Sequence, residues 1–205
     1  MKNVPGFYYK NAAAGAARRV VNCKKAAPDT MRETVGQVVS WCILIALAGF
    51  QGWNHDEMEA FAEEVSRFTE TYCLKVREVG GTKADRWLNG KTKPVHFMLP
   101  ADKPIKKQAD RDELAQKRMA AETAWKLMAA TMMNTDKESI KMDSLAVQHV
   151  LDDAKSVYRD RFLDWAKEGD AYGMERLKMD VETMLGEQVE VVDDGRGAVF
   201  SERLY

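Results

Sequence analysis

Apolar residues recur along most of this chain at helical spacing. Met58, Phe61, Val65, Phe68 and Tyr72 fall three or four positions apart, the period of one helix face. They predict an amphipathic helix from about His55 to Gly80-Gly81. Asn54 and Glu57 stand at the spacing of a capping box, and Asp56, Glu57 and Glu59 put negative charge where the helix dipole favours it. Thr30 and Glu33 repeat the capping spacing ahead of a helix over 31–50. From Val38 onward that helix is apolar on nearly all sides, which predicts a place at the centre of the fold. "QGWN" is the turn between the two.

The pattern continues on both sides. The alanine-rich segment 8–25, closing on Arg18, Arg19, Lys24 and Lys25, predicts a first helix, interrupted by Pro28. A helix over roughly 109–133 carries Ala121, Trp125, Met128 and Met132 on one face and stops at Asn134. The next, roughly 143–168, turns Val147, Val150, Leu151, Ala154, Val157, Phe162 and Trp165 inward. After the "EGDAYG" turn, about 171–185 carries Met174, Leu177, Val181 and Met184. The tail changes period: "QVEVVDDGRGAVF" alternates around Asp194-Gly195, predicting a hairpin of strands 188–192 and 198–202.

The stretch 81–111 breaks the helical pattern. It holds Pro94, Pro100 and Pro104 and reads as a basic linker or long loop, with at most one helical turn at Ala84–Leu88. The expected fold is mainly α: a bundle of about six helices with a small C-terminal β-hairpin. An N-terminal helical subdomain (1–80) and an acidic C-terminal one (112–205) flank the linker.

Charge sharpens this division. The chain of 205 residues has a formal net charge of -1, which excludes a uniformly basic or acidic protein. By segment, residues 1–35 carry +5, 36–80 carry -4, 81–111 carry +5 and 112–205 carry -7. The neutral total is a cancellation between blocks.

The chain carries few motifs of catalysis or ligand binding. There is no P-loop, no G-x-G-x-x-G and no H-E-x-x-H. The glycines of "DDGRG" sit in a turn and open no helix. His149 with Asp152 and Asp153 falls short of the three or four converging ligands a metal needs. Glu59–Glu63 and Asp160–Asp164 are i,i+4 carboxylate pairs, expected by chance among 32 acidic residues. No enzyme, cofactor or metal site is expected. The cysteines, Cys23, Cys42 and Cys73, form no C-x-x-C. Cys42 and Cys73 read as free, buried thiols, which suits a reducing cytoplasm. The N-terminus does not read as a signal peptide. The apolar run Val38–Phe50 rises about 20 Å as a helix, short of the roughly 30 Å hydrocarbon core, so no membrane association is expected.

The candidate binding residues lie in the basic stretch: Lys83, Arg86, Lys91, Lys93, Lys103, Lys106, Lys107 and Arg111, with Trp87 among them. Cations meet phosphates and aromatic rings stack on bases; a solvated loop gives the same composition. The helices 31–50 and 55–78 imitate a helix-turn-helix. Asp56, Glu57 and Glu59 would lead the recognition helix and repel phosphate, so an αα-hairpin is the better reading. Eight of the 12 methionines stand at or beyond Met119, as core filler or as an adaptable partner surface.

The stretch 31–72 resembles part of a group of small proteins encoded by phages and prophages of gut Gram-positive bacteria. The positions that carry the likeness are Thr34, Trp41, Cys42, Ala46, Leu47, Gly49, Phe50, Phe61 and Phe68. It departs at "GWNHDEME", where that group often has a basic Gly-Lys-Lys-Arg-Leu run. The resemblance implies a mobile-element accessory protein working by binding in the cytoplasm of a bacterial host. The expected partner is a host protein or nucleoprotein complex, with the chain as an inhibitor of a nucleic-acid-targeting defence nuclease, as anti-CRISPR proteins are. The alternative is a regulatory or replication accessory that binds DNA or RNA through 81–111. The sequence leaves the oligomeric state open.

Overall fold

The computed structural model describes residues 30–97, 107–186 and 188–191. Six main helices follow in order: α1 Thr30–Gly49, α2 His55–Val79, α3 Gly81–Lys91, α4 Gln108–Asn134, α5 Ser144–Val157 and α6 Asp170–Leu185. Among the described residues there is no strand. The helix expected over 8–25 and most of the expected hairpin lie outside the described residues. The described residues 188–191 lie against α1 and α6: Gln37 Nε2 donates to the Glu190 carbonyl at 2.7 Å, and the Val189 N–H donates to Glu182 at 3.0 Å.

α1 is the central helix. Val38, Val39, Trp41, Cys42, Ile43, Ile45 and Leu47 are each at most 1% exposed, and the helix packs against α4, α5 and α6. Each large apolar side chain buried this fully stabilises the fold by roughly 1.5–3 kcal/mol. No described helix is long and apolar enough to cross a membrane.

α2 starts as its capping residues predict. The Glu57 N–H donates to Asn54 Oδ1 at 3.0 Å, and the Asn54 N–H donates to Glu57 Oε2 at 2.8 Å. Trp53, just before the cap, meets Phe61 edge-on at 5.5 Å. Met58, Phe61, Val65 and Tyr72 of the expected stripe are buried, and Phe68 is half-buried.

The main core draws on residues from Val35 to Val189, so it does not divide at 81–111. That segment is also not all loop, because α3 fills its first eleven residues. Ala84 and Leu88 form an i,i+4 apolar pair that closes a second, smaller cluster with Tyr72 of α2 and Leu127 and Ala130 of α4. This packing extends the single expected turn into a whole helix.

The single helix expected over 143–168 is also modified. α5 ends at Val157, a π-turn covers Tyr158–Phe162, and Leu163–Trp165 and the 3₁₀ turn Ala166–Glu168 follow. The wider turn shifts the register. Tyr158 and Phe162, both buried, stack at 5.4 Å. Trp165 is left half-buried at the core's edge, with the Arg176 guanidinium 5.6 Å from its ring centre. At the start of α6, Gly173 lies so close to Ala166 that a Cβ would meet the Ala166 backbone nitrogen at 3.1 Å.

The cysteines divide. Cys42 is a free thiol, fully buried, and burial pushes its pKa up. Cys73 is disulfide-bonded, contrary to the free thiol expected. Pairing needs a second thiol at the right Cα separation, which linear spacing does not reveal. Disulfides belong to oxidising compartments, so the cysteines give no support to a cytoplasmic location.

Candidate nucleic-acid interface

α2 and α3 are joined at one residue. Gly80 closes α2, donating its N–H to the Val76 carbonyl at 3.1 Å, and opens α3, accepting from the Ala84 N–H at 3.1 Å. Its φ of +82° is open to glycine and strained for other residues. α3 therefore folds back along α2, and Ala84 and Leu88 turn to the core. At its far end, Asn134 Nδ2 at the close of α4 reaches the Lys91 carbonyl at 3.5 Å.

With the apolar side of α3 fixed, its cations point out. Lys83 and Arg86 are exposed, Trp87 and Lys91 are half-buried, and Lys93 is exposed just past the helix. Trp87 stacks on Phe68 at 5.3 Å, with Lys75 Nζ of α2 5.0 Å from the ring centre. The one carboxylate of α3, Asp85, is half-buried and accepts from the Tyr72 hydroxyl at 2.5 Å. Burial, and then the hydrogen bond to this carboxylate and its charge, drive the Tyr72 phenol far above its usual pKa. No carboxylate among the described residues pairs with Lys83, Arg86, Lys91 or Lys93.

The acidic block beyond 112 is arranged differently. Its carboxylates meet neighbouring cations: Asp152 with Lys155 at 3.1 Å, Asp164 with Lys167 at 2.6 Å, and Asp160 with Arg159 at 2.8 Å. The Arg159 guanidinium beside Asp160 holds that carboxyl below its usual range. Glu63, of the other i,i+4 pair, engages Lys137 at 2.7 Å. Among the described residues, no group of three or more His, Cys, Asp or Glu side chains is placed to hold a metal.

Of the sequence-predicted residues, the structure brings Lys83, Arg86, Trp87 and Lys91 onto one helix with Lys93 beside it. Lys107 and Arg111 stand at the start of α4, a separate place; about 12 Å of helix rise separates Arg111 from Met119, which lines a cavity between α3 and α4. Lys103 and Lys106 lie outside the described residues. The sequence missed Lys75 and Phe68. Both look like ordinary α2 positions, and nothing local signals that the chain returns to lay Trp87 between them.

No protein family, curated protein or solved structure matches the chain.

Proposed function

We propose that this protein works by binding rather than catalysis, as an accessory factor of the phage or prophage kind, and that the α3 face holds single-stranded nucleic acid. The observation that carries this reading is the set of four cations at 83, 86, 91 and 93 without an ion-pair partner among the described residues. They surround a tryptophan that keeps part of its surface in solvent. Neutralising phosphates releases counterions, and an aromatic edge favours unpaired bases. Four phosphate contacts give a log–log salt slope of about -3 for a single strand. Fluorescence anisotropy of a labelled oligonucleotide across a salt series tests it. Lys83→Glu with Arg86→Glu should abolish binding without loss of fold. Unchanged affinity in that variant refutes the reading.

A second reading is an inhibitor of a host nucleic-acid-targeting nuclease, anti-CRISPR-like, acting in the bacterial cytoplasm. Tyr172 and Met179, 44% and 49% exposed and seven residues apart on α6, favour a protein contact there. Exposed Glu175 and Arg176 stand between them, a mixed apolar and charged face of the kind found in protein contacts. Undiminished cleavage by a purified defence nuclease in the presence of excess protein counts against it.

A further inference from the structure

Trp87 is held between two side chains of α2. Its ring stacks on Phe68, with centroids 5.3 Å apart and planes 22° from parallel. The Lys75 ammonium lies over the same ring, 5.0 Å from its centre. Phe68 and Lys75 are seven residues apart, about 10 Å of helix rise. That rise is close to the two contact distances laid end to end, which puts Phe68 on one face of the ring and Lys75 on the other. Phe68 and Trp87 also border the small cluster of Tyr72, Ala84 and Leu88, so their side of the sandwich is fixed by packing. Lys75 is held more lightly. It is half-buried on a flexible four-carbon stem. Its ammonium has no ion pair or hydrogen bond among the described residues, only the ring contact. Glu78, one turn along α2, is exposed and pairs with no cation among the described residues.

We propose that Lys75 is an exchangeable cover over Trp87: a base of a single strand takes its place on the ring, and the ammonium moves to a phosphate of the same strand. The inference rests on the nucleic-acid reading above and adds a selection to it, because the ligand must bring an aromatic ring and a phosphate together. A stacked base contributes more than an exposed cation–π contact, so the ring gains by the exchange. The ammonium leaves a weak partner for a full negative charge, and the strand releases a further counterion. A polyanion without bases leaves the uncovered ring facing water, and the cation–π contact is lost with nothing in its place. Lys75 then stays on Trp87. Lys83 and Lys91 stand four residues to either side of Trp87, so the phosphates flanking a stacked base meet cations from both helices.

The test uses the full chain, labelled oligo-dT and an abasic strand of the same length and charge, each titrated across a salt series. Each phosphate contact steepens the log–log salt slope by about 0.7 for a single strand. The wild-type chain should therefore give a slope steeper by about 0.7 with oligo-dT than with the abasic strand. Lys75→Met keeps the apolar stem and removes the charge, and should give the shallower slope with both strands. Trp87→Leu keeps an apolar contact with Phe68 but frees the ammonium, and should give the steeper slope with both. Oligo-dT should also quench a part of the tryptophan emission that Trp87→Leu removes, whereas the abasic strand should not. Equal wild-type slopes for the two strands, lowered together by Lys75→Met, make Lys75 an ordinary phosphate contact; they overturn the exchange and leave the α3 face standing. Slopes untouched by Lys75→Met overturn it as well. Absence of binding to either strand overturns both readings.

Discussion

The Tyr72 hydroxyl donates to Asp85 at 2.5 Å, joining the buried face of α2 to the one carboxylate of α3. The two residues are 13 apart in sequence, on opposite sides of the Gly80 corner. The bond holds α3 in the orientation that turns Lys83 and Arg86 outward. It also gives the fold an alkaline limit. The phenol's pKa is raised in the folded chain above its ordinary value of 10.0, by burial first and by Asp85 second. Below that value both folded and unfolded chains keep the proton, so stability does not change. As pH rises past 10.0, the unfolded chain releases the proton while the folded chain retains it, and stability falls. Tyr72→Phe should cost about 0.5–3 kcal/mol at neutral pH by removing the hydrogen bond to Asp85, and should flatten the decline above pH 10. Urea midpoints from pH 7 to 11 check both effects.

Leu88 should hold α3 in place more than any other residue of that helix. It is 2% exposed and contributes to the small cluster with Tyr72, Leu127 and Ala130. Leu88→Ala should destabilise by about 2–5 kcal/mol. Hydrogen exchange should show the amides of α3 losing protection well before those of α1, because the main core is built from other residues. Equal loss across α1 and α3 would mean that the second cluster has no independent role.

Two glycines in helices should respond with opposite sign. At Gly173 a Cβ would stand 3.1 Å from the Ala166 nitrogen and 3.2 Å from its Cα, both backbone atoms that cannot swing aside. Gly173→Ala should destabilise by about 1–3 kcal/mol, lowering Tm by some 2–4 °C per kcal/mol. At Gly90, inside α3, nothing lies within 4 Å. Gly90→Ala should stabilise by about 0.4–1 kcal/mol through the unfolded chain's lost freedom. Thermal melts of the two variants side by side make the comparison.

Much of the helical layout was legible because periodicity and caps act locally. The Asn54–Glu57 box, the α2 stripe and the apolar centre of α1 each stand where their own residues place them. α3 was not legible. Its eleven residues include two glycines and an asparagine, and a helix that short is marginal by itself. It exists because α2 and α4 supply Tyr72, Leu127 and Ala130 for Ala84 and Leu88 to pack against. The π-turn at Tyr158–Phe162 escaped for a related reason, since the residues read as a continuous helix and only the packing of Tyr158 and Phe162 reveals the shifted register. For the site, the residue types were visible but not their grouping. Lys83, Arg86 and Trp87 were candidates, whereas Lys75 and the cavity between α3 and α4 depend on contacts between helices.

The sequence by itself determined that the chain is helical, that α1 lies at its centre, and that its charge is divided into blocks. Those properties follow from spacing, composition and capping, all read within a few turns of chain. The tertiary structure decided which charges remain available. Carboxylates beyond 112 find lysines and arginines within a turn or across a helix pair, while the cations of α3 are turned outward by the burial of Ala84 and Leu88 on its opposite side. A charge run has no direction until packing fixes which side of the helix is covered, and here that side is set by residues from two other helices.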